Sequence, residues 1–570
     1  MLEKCILSML EPKYNGFKVY VHNLADFDSV FLVRSLVKLG KVEPIMNNGR
    51  LVSMKFRSGK ITLTFLDSYQ LLLSSLRNLA FAFNCEVQKD IFPFNFLKDL
   101  EYIDPVPPKE YFPVEVRDLD YKRYASRFVD DIWNLREEAI KYCEADCISL
   151  HQVLTKFSGT IWDMYKKNIT SYPTISSLTF AIFRTHFLEE NSIPILNGQV
   201  FRDIKESYTG GATDMYIPTN VDATHDDAPP AYAAEDEALY CYDVNSLYPF
   251  VMMNTEMPVG KTYYFEGDIS KLNPDALGFY YVRVTAPSNL EHPILQTHVN
   301  NMTMSPLGTW EMMIYSEEMK NAIKYGYKFE VLRGYYFESK KIVFKEYISE
   351  LYNLRLDYDK SHPMNFIAKI LMNSLYGRFG MSDSLGQTKI HDASKFNKML
   401  AKASDTNINL IKEVTRVRDD HLLVTSNGDP TSTALGNLSK SKNNVNIAIA
   451  SAITATARVN MSKYKNNPNF KLYYTDTDSL FTNLNPKEME ELIPNSVGKG
   501  IGQLKLEYQI NRAVFLAPKA YYLELIDGSK VVKIKGLNSK AVNKAIFIGL
   551  LPSYYSLIPQ DIYYPIFHFY

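Results

Sequence analysis

Asp243, in YCYDVNSLYP, and Asp478, in LYYTDTDSLF, each offer a carboxylate at the end of a short apolar run. Hard divalent cations such as magnesium take oxygen ligands of this kind. The run LYCY reads as a strand that delivers Asp243, after which the chain turns so that the following amides and Tyr248 face the same space. Asp476 and Asp478 lie two residues apart between apolar runs, which predicts a tight hairpin with carboxylates at its tip. Between the two motifs, FIAKILMNSLYGRFG places Lys369, Asn373, Tyr376 and Gly377 at i, i+4, i+7 and i+8, one face of a continuous helix. A carboxylate pair beside a cationic, aromatic helix is equipment for metal-assisted phosphoryl transfer.

In such chemistry two magnesium ions, about 3.5–4 Å apart, lower the pKa of an attacking 3′-hydroxyl and stabilise a leaving pyrophosphate. Asp243, Asp476 and Asp478 are the catalytic candidates, with Asp243 and Asp478 as metal ligands. Lys369 is suited to neutralise triphosphate charge, helped by Arg355 from the preceding helix, while Asn373 shares the Lys369 face. Tyr376 offers a flat surface to a nascent base pair, and Tyr248 has the bulk to block a ribose 2′-hydroxyl. Each residue has a blander reading: a solvated DTD turn, a turn-capping Asp243, a surface lysine, core tyrosines. The occurrence of all of them in one chain argues against that.

These groups need a scaffold. Residues 1 to about 165 alternate short apolar runs with helical stretches, an α/β pattern. A largely helical connector leads to SYTGGATDMY, whose Gly210-Gly211 pair predicts a backbone turn able to approach phosphates. Six acidic residues and no Lys or Arg between Asp222 and Glu237 read as a solvated loop. A helix from Phe344 to Lys360, a break at SHP and a second helix through Tyr376 predict an antiparallel helical hairpin.

A length of 570 residues suggests three or four lobes. The net charge of −1 argues against a whole-surface nucleic-acid binder, so cationic binding must be local. Arg512 to Lys544 supplies it, with seven Lys/Arg against two acidic residues. The 40 Tyr and 32 Phe are a surplus that either supplies base-stacking surfaces or reflects codon bias in an AT-rich genome. Five cysteines without paired spacing fit a reducing compartment, and Cys143, Cys147 and His151, four apart, read as ordinary core residues rather than a zinc site. Neither a secretory signal nor a membrane span is legible, so no membrane partner is expected.

DVNSLYP, KILMNSLYG and YTDTDS resemble, in order, the three polymerase motifs of family B DNA polymerases. APKAYYL, with Lys519 and Tyr521, is similar to the family's Lys-x-Tyr motif that grips the primer end, and LKLE before it fits the same block. SYTGGA, with Tyr208, Gly210 and Gly211, resembles the Tyr-x-Gly-Gly segment that coordinates exonuclease and polymerase sites in the protein-primed branch. The resemblance covers most of the chain. It implies an α+β multidomain fold: a ribonuclease H-like exonuclease domain followed by palm, fingers and thumb of a right-hand polymerase. The partners it implies are a DNA template and primer, dNTPs and a terminal protein as primer, with the polymerase monomeric. The domains expected are an exonuclease-like domain at 1–165, connector and palm at 166–343 with a first insertion at about 260–340, and fingers at 344–380. Palm with a second, template-encircling insertion at about 385–440 occupies 381–510, and the thumb 511–570.

HNLADFDSVFL supplies Asn23, Phe27 and Asp28, and YCEADCISL supplies Tyr142 and Asp146, matching the second and third proofreading exonuclease motifs of the family. The first, Asp-x-Glu, has no counterpart before Asn23, where Glu3 and Glu11 are the acids present. An N-terminally incomplete frame or a decaying gene is therefore expected, with proofreading lost or weakened. A shortened thumb and poor processivity are expected likewise. The family's linear mitochondrial plasmid members, with the reduced cysteines, suggest a mitochondrial protein, with a phage or viral protein in host cytoplasm as the alternative. A family B polymerase extending an ordinary nucleic-acid primer, or a non-catalytic DNA-binding remnant, stays open.

Overall fold

The computed structural model describes residues 2–556 apart from 48, 88–89, 97–98, 114–115, 129–131, 191, 221–236, 291, 300–301, 382–386, 402–410, 427–445 and 538–541. Most of the acidic loop, parts of the second insertion and the last residues of the thumb thus lie outside the described residues. Contacts group the chain into two units: 1–187, 350–375 and 382–443 form the first, and 188–349, 376–381 and 444–570 the second. The reason is shared cores between segments far apart in sequence. Ile390 and Val417 pack against the same buried cluster as Leu24, Leu36, Phe56 and Phe65.

In the first unit, strand Lys18–Val21 pairs in parallel with Ile61–Asp67, which continues antiparallel to Arg50–Ser58 and then Lys41–Asn47. Helix Ser29–Leu39 contributes Leu32, Leu36 and Val37 to the core, the spacing of one helical face. The 31-residue helix Leu135–Tyr165 begins where Asn134 accepts the Glu137 N–H and stops at Lys166, whose φ of 51° is left-handed. Its buried residues Ser149, Val153, Phe157, Ile161 and Tyr165 recur every four positions. Cys143 and Cys147 fall outside that stripe and are exposed, contrary to their reading as core. Strands Gln387–Asp392, His421–Ser426 and Ile411–Arg418 form a separate three-stranded sheet.

The helical hairpin is present as Lys345–Asp357 and Pro363–Ser374. Pro363 occupies the first helical turn and the His362 ring accepts the Met364 N–H. Asn365 closes the hairpin by donating to the Arg355 and Tyr358 carbonyls. The continuous helix expected through Tyr376 is interrupted at Leu375, and a separate short helix runs Tyr376–Phe379. Tertiary anchoring wins over helical periodicity here: Phe379 is buried, edge-on to Phe344 at 5.5 Å.

The second unit is built on a seven-stranded antiparallel sheet, in the order Lys530–Ile534, Ala520–Leu525, Leu504–Ala517, Leu239–Val244, Ser479–Thr482, Leu472–Asp476, Thr213–Met215. Helix Ile447–Lys465 is buried on nearly every side, which its Ala, Ser and Thr side chains allow at close approach. Asn446 starts it by accepting the Ile449 N–H while donating to Pro194 O. A second antiparallel sheet, Thr309–Tyr315, Gly278–Thr285, Lys328–Lys341 and Met257–Glu266, carries its own core around Val282, Val284 and Ile314. It occupies the interval expected for the first insertion. Among the described residues no helix is long and apolar enough to cross a membrane.

Candidate active site

Strand pairing brings the backbones of the two motifs together. Asp243 lies directly opposite Ser479, and the Val244 N–H donates to Asp478 O at 2.8 Å. The tight hairpin predicted from DTD is present: strand Leu472–Asp476 turns through Thr477, at φ 58°, into Ser479–Thr482. Its tip is braced by the Thr477 N–H donating to Ala212 O at 2.8 Å. Burial raises the Asp478 carboxyl to about 6, and the Asp476 charge adds to the shift. Asp476 itself is neutralised: Lys519 Nζ reaches both of its oxygens at 2.7 Å and Thr213 Oγ1 donates to it at 2.9 Å. Lys519 is held for this by its own left-handed turn, φ 60°, and by its N–H donating to Tyr474 Oη at 2.7 Å. Tyr521 packs in an aromatic cluster with Tyr474, Phe481 and Phe515.

Ser246, at φ 52°, swings the chain from the Asp243 strand into helix Leu247–Asn254, which places Tyr248 in its first turn. The Tyr248 ring stacks on Tyr376 with centroids 4.1 Å apart. Burial pushes both hydroxyls upward, with the Asp478 charge among the further causes. Tyr208 adjoins the same group, because a Cβ added at Gly380 would lie 2.2 Å from its hydroxyl. Gly210 and Gly211 form no turn; the segment is extended and leads into edge strand Thr213–Met215. The requirement at Gly211 is close packing instead, since a Cβ there would sit 2.4 Å from Thr477 Cγ2.

The family described as DNA polymerase type B, organellar and viral, matches residues 9–470. The chain belongs to this family. Probable DNA polymerases of Neurospora intermedia and Ascobolus immersus are 34% and 36% identical to it over 95% and 93% of this chain. The chain spans about half the length of these curated relatives, 56% and 43%. The solved structure of phi29 DNA polymerase complexed with primer-template DNA and incoming nucleotide substrates superposes with a TM-score of 0.65. The match covers 96% of this chain and 88% of that one at 18% identity, which establishes the shared fold. The exonuclease-plus-right-hand architecture expected from the motifs is thus the architecture of this type B chain.

The remaining motif residues belong to the first unit. Lys369 and Asn373 are exposed, one turn apart on Pro363–Ser374. Arg355 is half-buried, burial lowers its pKa, and its Nε lacks a hydrogen-bond partner among the described residues. In the exonuclease-like part, Asn23 adopts φ 64° and Phe27 is two-thirds exposed at 66%. Asp28 precedes helix Ser29–Leu39, its pKa raised by burial first and by Asp67 in addition. Tyr142 packs against Phe92 and Phe94, one helical turn before half-buried Asp146.

Two groups escaped the motif reading. Arg458 is buried, with a two-pronged ion pair to Glu318 at 2.6 and 2.8 Å, and its Nη1 donates to the carbonyls of Thr209 and Gly210. Lys465 makes a second buried pair with Asp214 at 2.6 Å. A signal existed: an arginine inside the apolar run IAIASAITATAR must be paired if that helix is buried.

Proposed function

We propose that this chain is the catalytic core of a template-directed DNA polymerase that adds deoxynucleotides to a 3′-hydroxyl. The observation that carries the reading is the adjacency of Asp243 and Asp478 on paired palm strands, beside the stacked Tyr248 and Tyr376. The donor set suits magnesium, which is bound through one or two carboxylates and completed by water and substrate phosphates. The raised pKa of Asp478 marks a half-buried negative charge that a divalent cation would compensate. When bound, a metal pair activates the attacking hydroxyl and stabilises the departing pyrophosphate.

The chain's own residues do the rest. Asp243 and Asp478 are the proposed metal ligands, while Lys519 and Thr213 engage Asp476. Tyr248 presents its ring where a sugar edge would rest, and Tyr376 a face for the base, once their stack opens to admit the nucleotide. By the motif resemblance Lys369 and Arg355 are the proposed cations for a triphosphate. A new oxygen–phosphorus bond forms at the α-phosphate as the bond to pyrophosphate breaks.

Initiation on a terminal protein's hydroxyl, replication of a linear DNA element and a mitochondrial setting belong to the same proposal. The Tyr-x-Gly-Gly segment and the separate four-stranded sheet at Met257–Lys341 support it. Magnesium-dependent incorporation on a primed template tests the enzyme reading, and loss of incorporation with Asp243→Ala identifies the site. A covalent nucleotide–protein adduct formed without a nucleic-acid primer tests the priming mode. Magnesium-dependent incorporation that Asp243→Ala leaves intact would overturn the assignment.

A further inference from the structure

The motif DVNSLYP contains a residue to which no role has yet been given. Asn245 lies two positions after Asp243, and nearly all of its polar groups are spent on one loop, 498–502, of sequence GKGIG. Its N–H donates to Gln503 O at 2.9 Å, its carbonyl accepts the Gly502 N–H at 2.8 Å, and its Nδ2 donates to Gly498 O and Gly500 O at 3.0 and 3.2 Å. The two side-chain bonds fall on either side of Lys499.

The glycines of the loop let side chains approach it closely. A Cβ at Gly498 or Gly500 would lie 2.3 or 2.8 Å from Gln503 Oε1, and one at Gly502, at φ +81°, would lie 2.4 Å from the Phe250 ring. The Gly500 N–H also donates to Gln503 Oε1 at 2.8 Å. The loop is therefore hydrogen-bonded at both ends of its Lys499 peptide, and Lys499 and Ile501 are its residues with side chains. Lys499 is exposed and has no ion pair among the described residues. A cation on a pre-ordered backbone, tethered two residues from a catalytic carboxylate, loses little freedom on binding an anion.

We infer that Lys499 binds a phosphate group of the polymerase's substrates, and that Asn245 is the positioning residue that holds the Gly498–Gly502 loop, and with it Lys499, beside Asp243. This rests on the polymerase reading. The phosphate is supplied by the DNA backbone or by the incoming nucleotide.

The test uses the full chain with Lys499→Ala, Lys499→Arg, Asn245→Ala and the double variant Asn245→Ala/Lys499→Ala, with Lys487→Ala on an exposed helix as control. Duplex primer–template affinity is measured across a salt series, and KM for duplex and for dNTP in steady state. A backbone phosphate predicts that Lys499→Ala weakens duplex binding about fivefold and reduces the slope of log K against log salt by about 0.9, while Lys499→Arg and the control keep it. A nucleotide phosphate predicts that KM for dNTP rises about fivefold with duplex affinity kept.

In either case Asn245→Ala reproduces the shift, and the double variant is no worse than the worse single one in that parameter, because the two residues act through one contact. Neither parameter moving with Lys499→Ala, or strictly additive effects of the two substitutions, overturns the inference. A wild-type chain that binds no duplex overturns both this inference and the polymerase reading; a wild type that binds while Lys499→Ala is unchanged overturns this one alone.

Discussion

Asp67 and Asp476 both end a strand of their unit's main sheet, yet their carboxylates are used in opposite ways. Asp67, at 1% exposure, accepts the backbone N–H groups of Asn23, Ala25 and Tyr69, so its charge is consumed in shaping the loop that carries Asn23 and Asp28. Asp476 is paired with a mobile-chain cation, Lys519, at a surface that Asp478 and Asp243 share through strand pairing. In the first unit a buried acid builds backbone geometry. In the second an acid is neutralised by a lysine that reaches both of its oxygens. An acidic side chain near a motif is therefore not a candidate ligand until its lone pairs are accounted for.

That contrast can be broken most sharply at Asp478. Asp478→Ala should lower magnesium-dependent incorporation by at least about a thousandfold, roughly 4 kcal/mol of transition-state stabilisation, with thermal stability kept or slightly raised. A large fall in the melting temperature would show that its role is structural, like that of Asp67. Arg458→Ala should cost about 3–5 kcal/mol in denaturant unfolding, because it leaves Glu318 buried without its counter-charge. If Glu318→Gln in the same background restores no stability, the pair is not the cause.

Asp67→Ala should cost about 2–3 kcal/mol, since buried N–H groups lose their acceptor, while incorporation per folded molecule is kept. Polymerase turnover falling in proportion to the Asp478→Ala loss would erase the distinction between the two acids. The smallest effect is expected at Gly211→Ala, about 1–2 kcal/mol of overpacking against Thr477, read as a lower kcat with little change in KM for duplex. A twofold or smaller change in kcat would mean that the carboxylate turn is indifferent to the strand beneath it.

Much of the seven-stranded sheet was legible before folding. An apolar run ending in Asp243, and aromatic runs flanking Asp476 and Asp478, each describe a strand with a carboxylate at its end, because strand periodicity and turn chemistry are local properties. The break at SHP between the two hairpin helices was legible for the same reason, and Pro363 opens the second of them. The expected continuous helix is broken at Leu375, beyond which Phe379 is buried and Gly380 packs against Tyr208. The Gly210-Gly211 pair was read as a turn because glycine permits turns, but glycine also permits contact, and Thr477 is the contact that decides its use.

By itself the sequence determined the family, the identity of the paired acids and the strands and helices that carry them, since these depend on residue type and near-neighbour spacing. Only the tertiary structure decided which acid is paired off by Lys519, which glycine is a packing surface, and that Asn245 and Arg458 hold distant backbone in place. Those outcomes depend on hydrogen bonds between residues tens to hundreds of positions apart, and no local pattern encodes a partner that far along the chain.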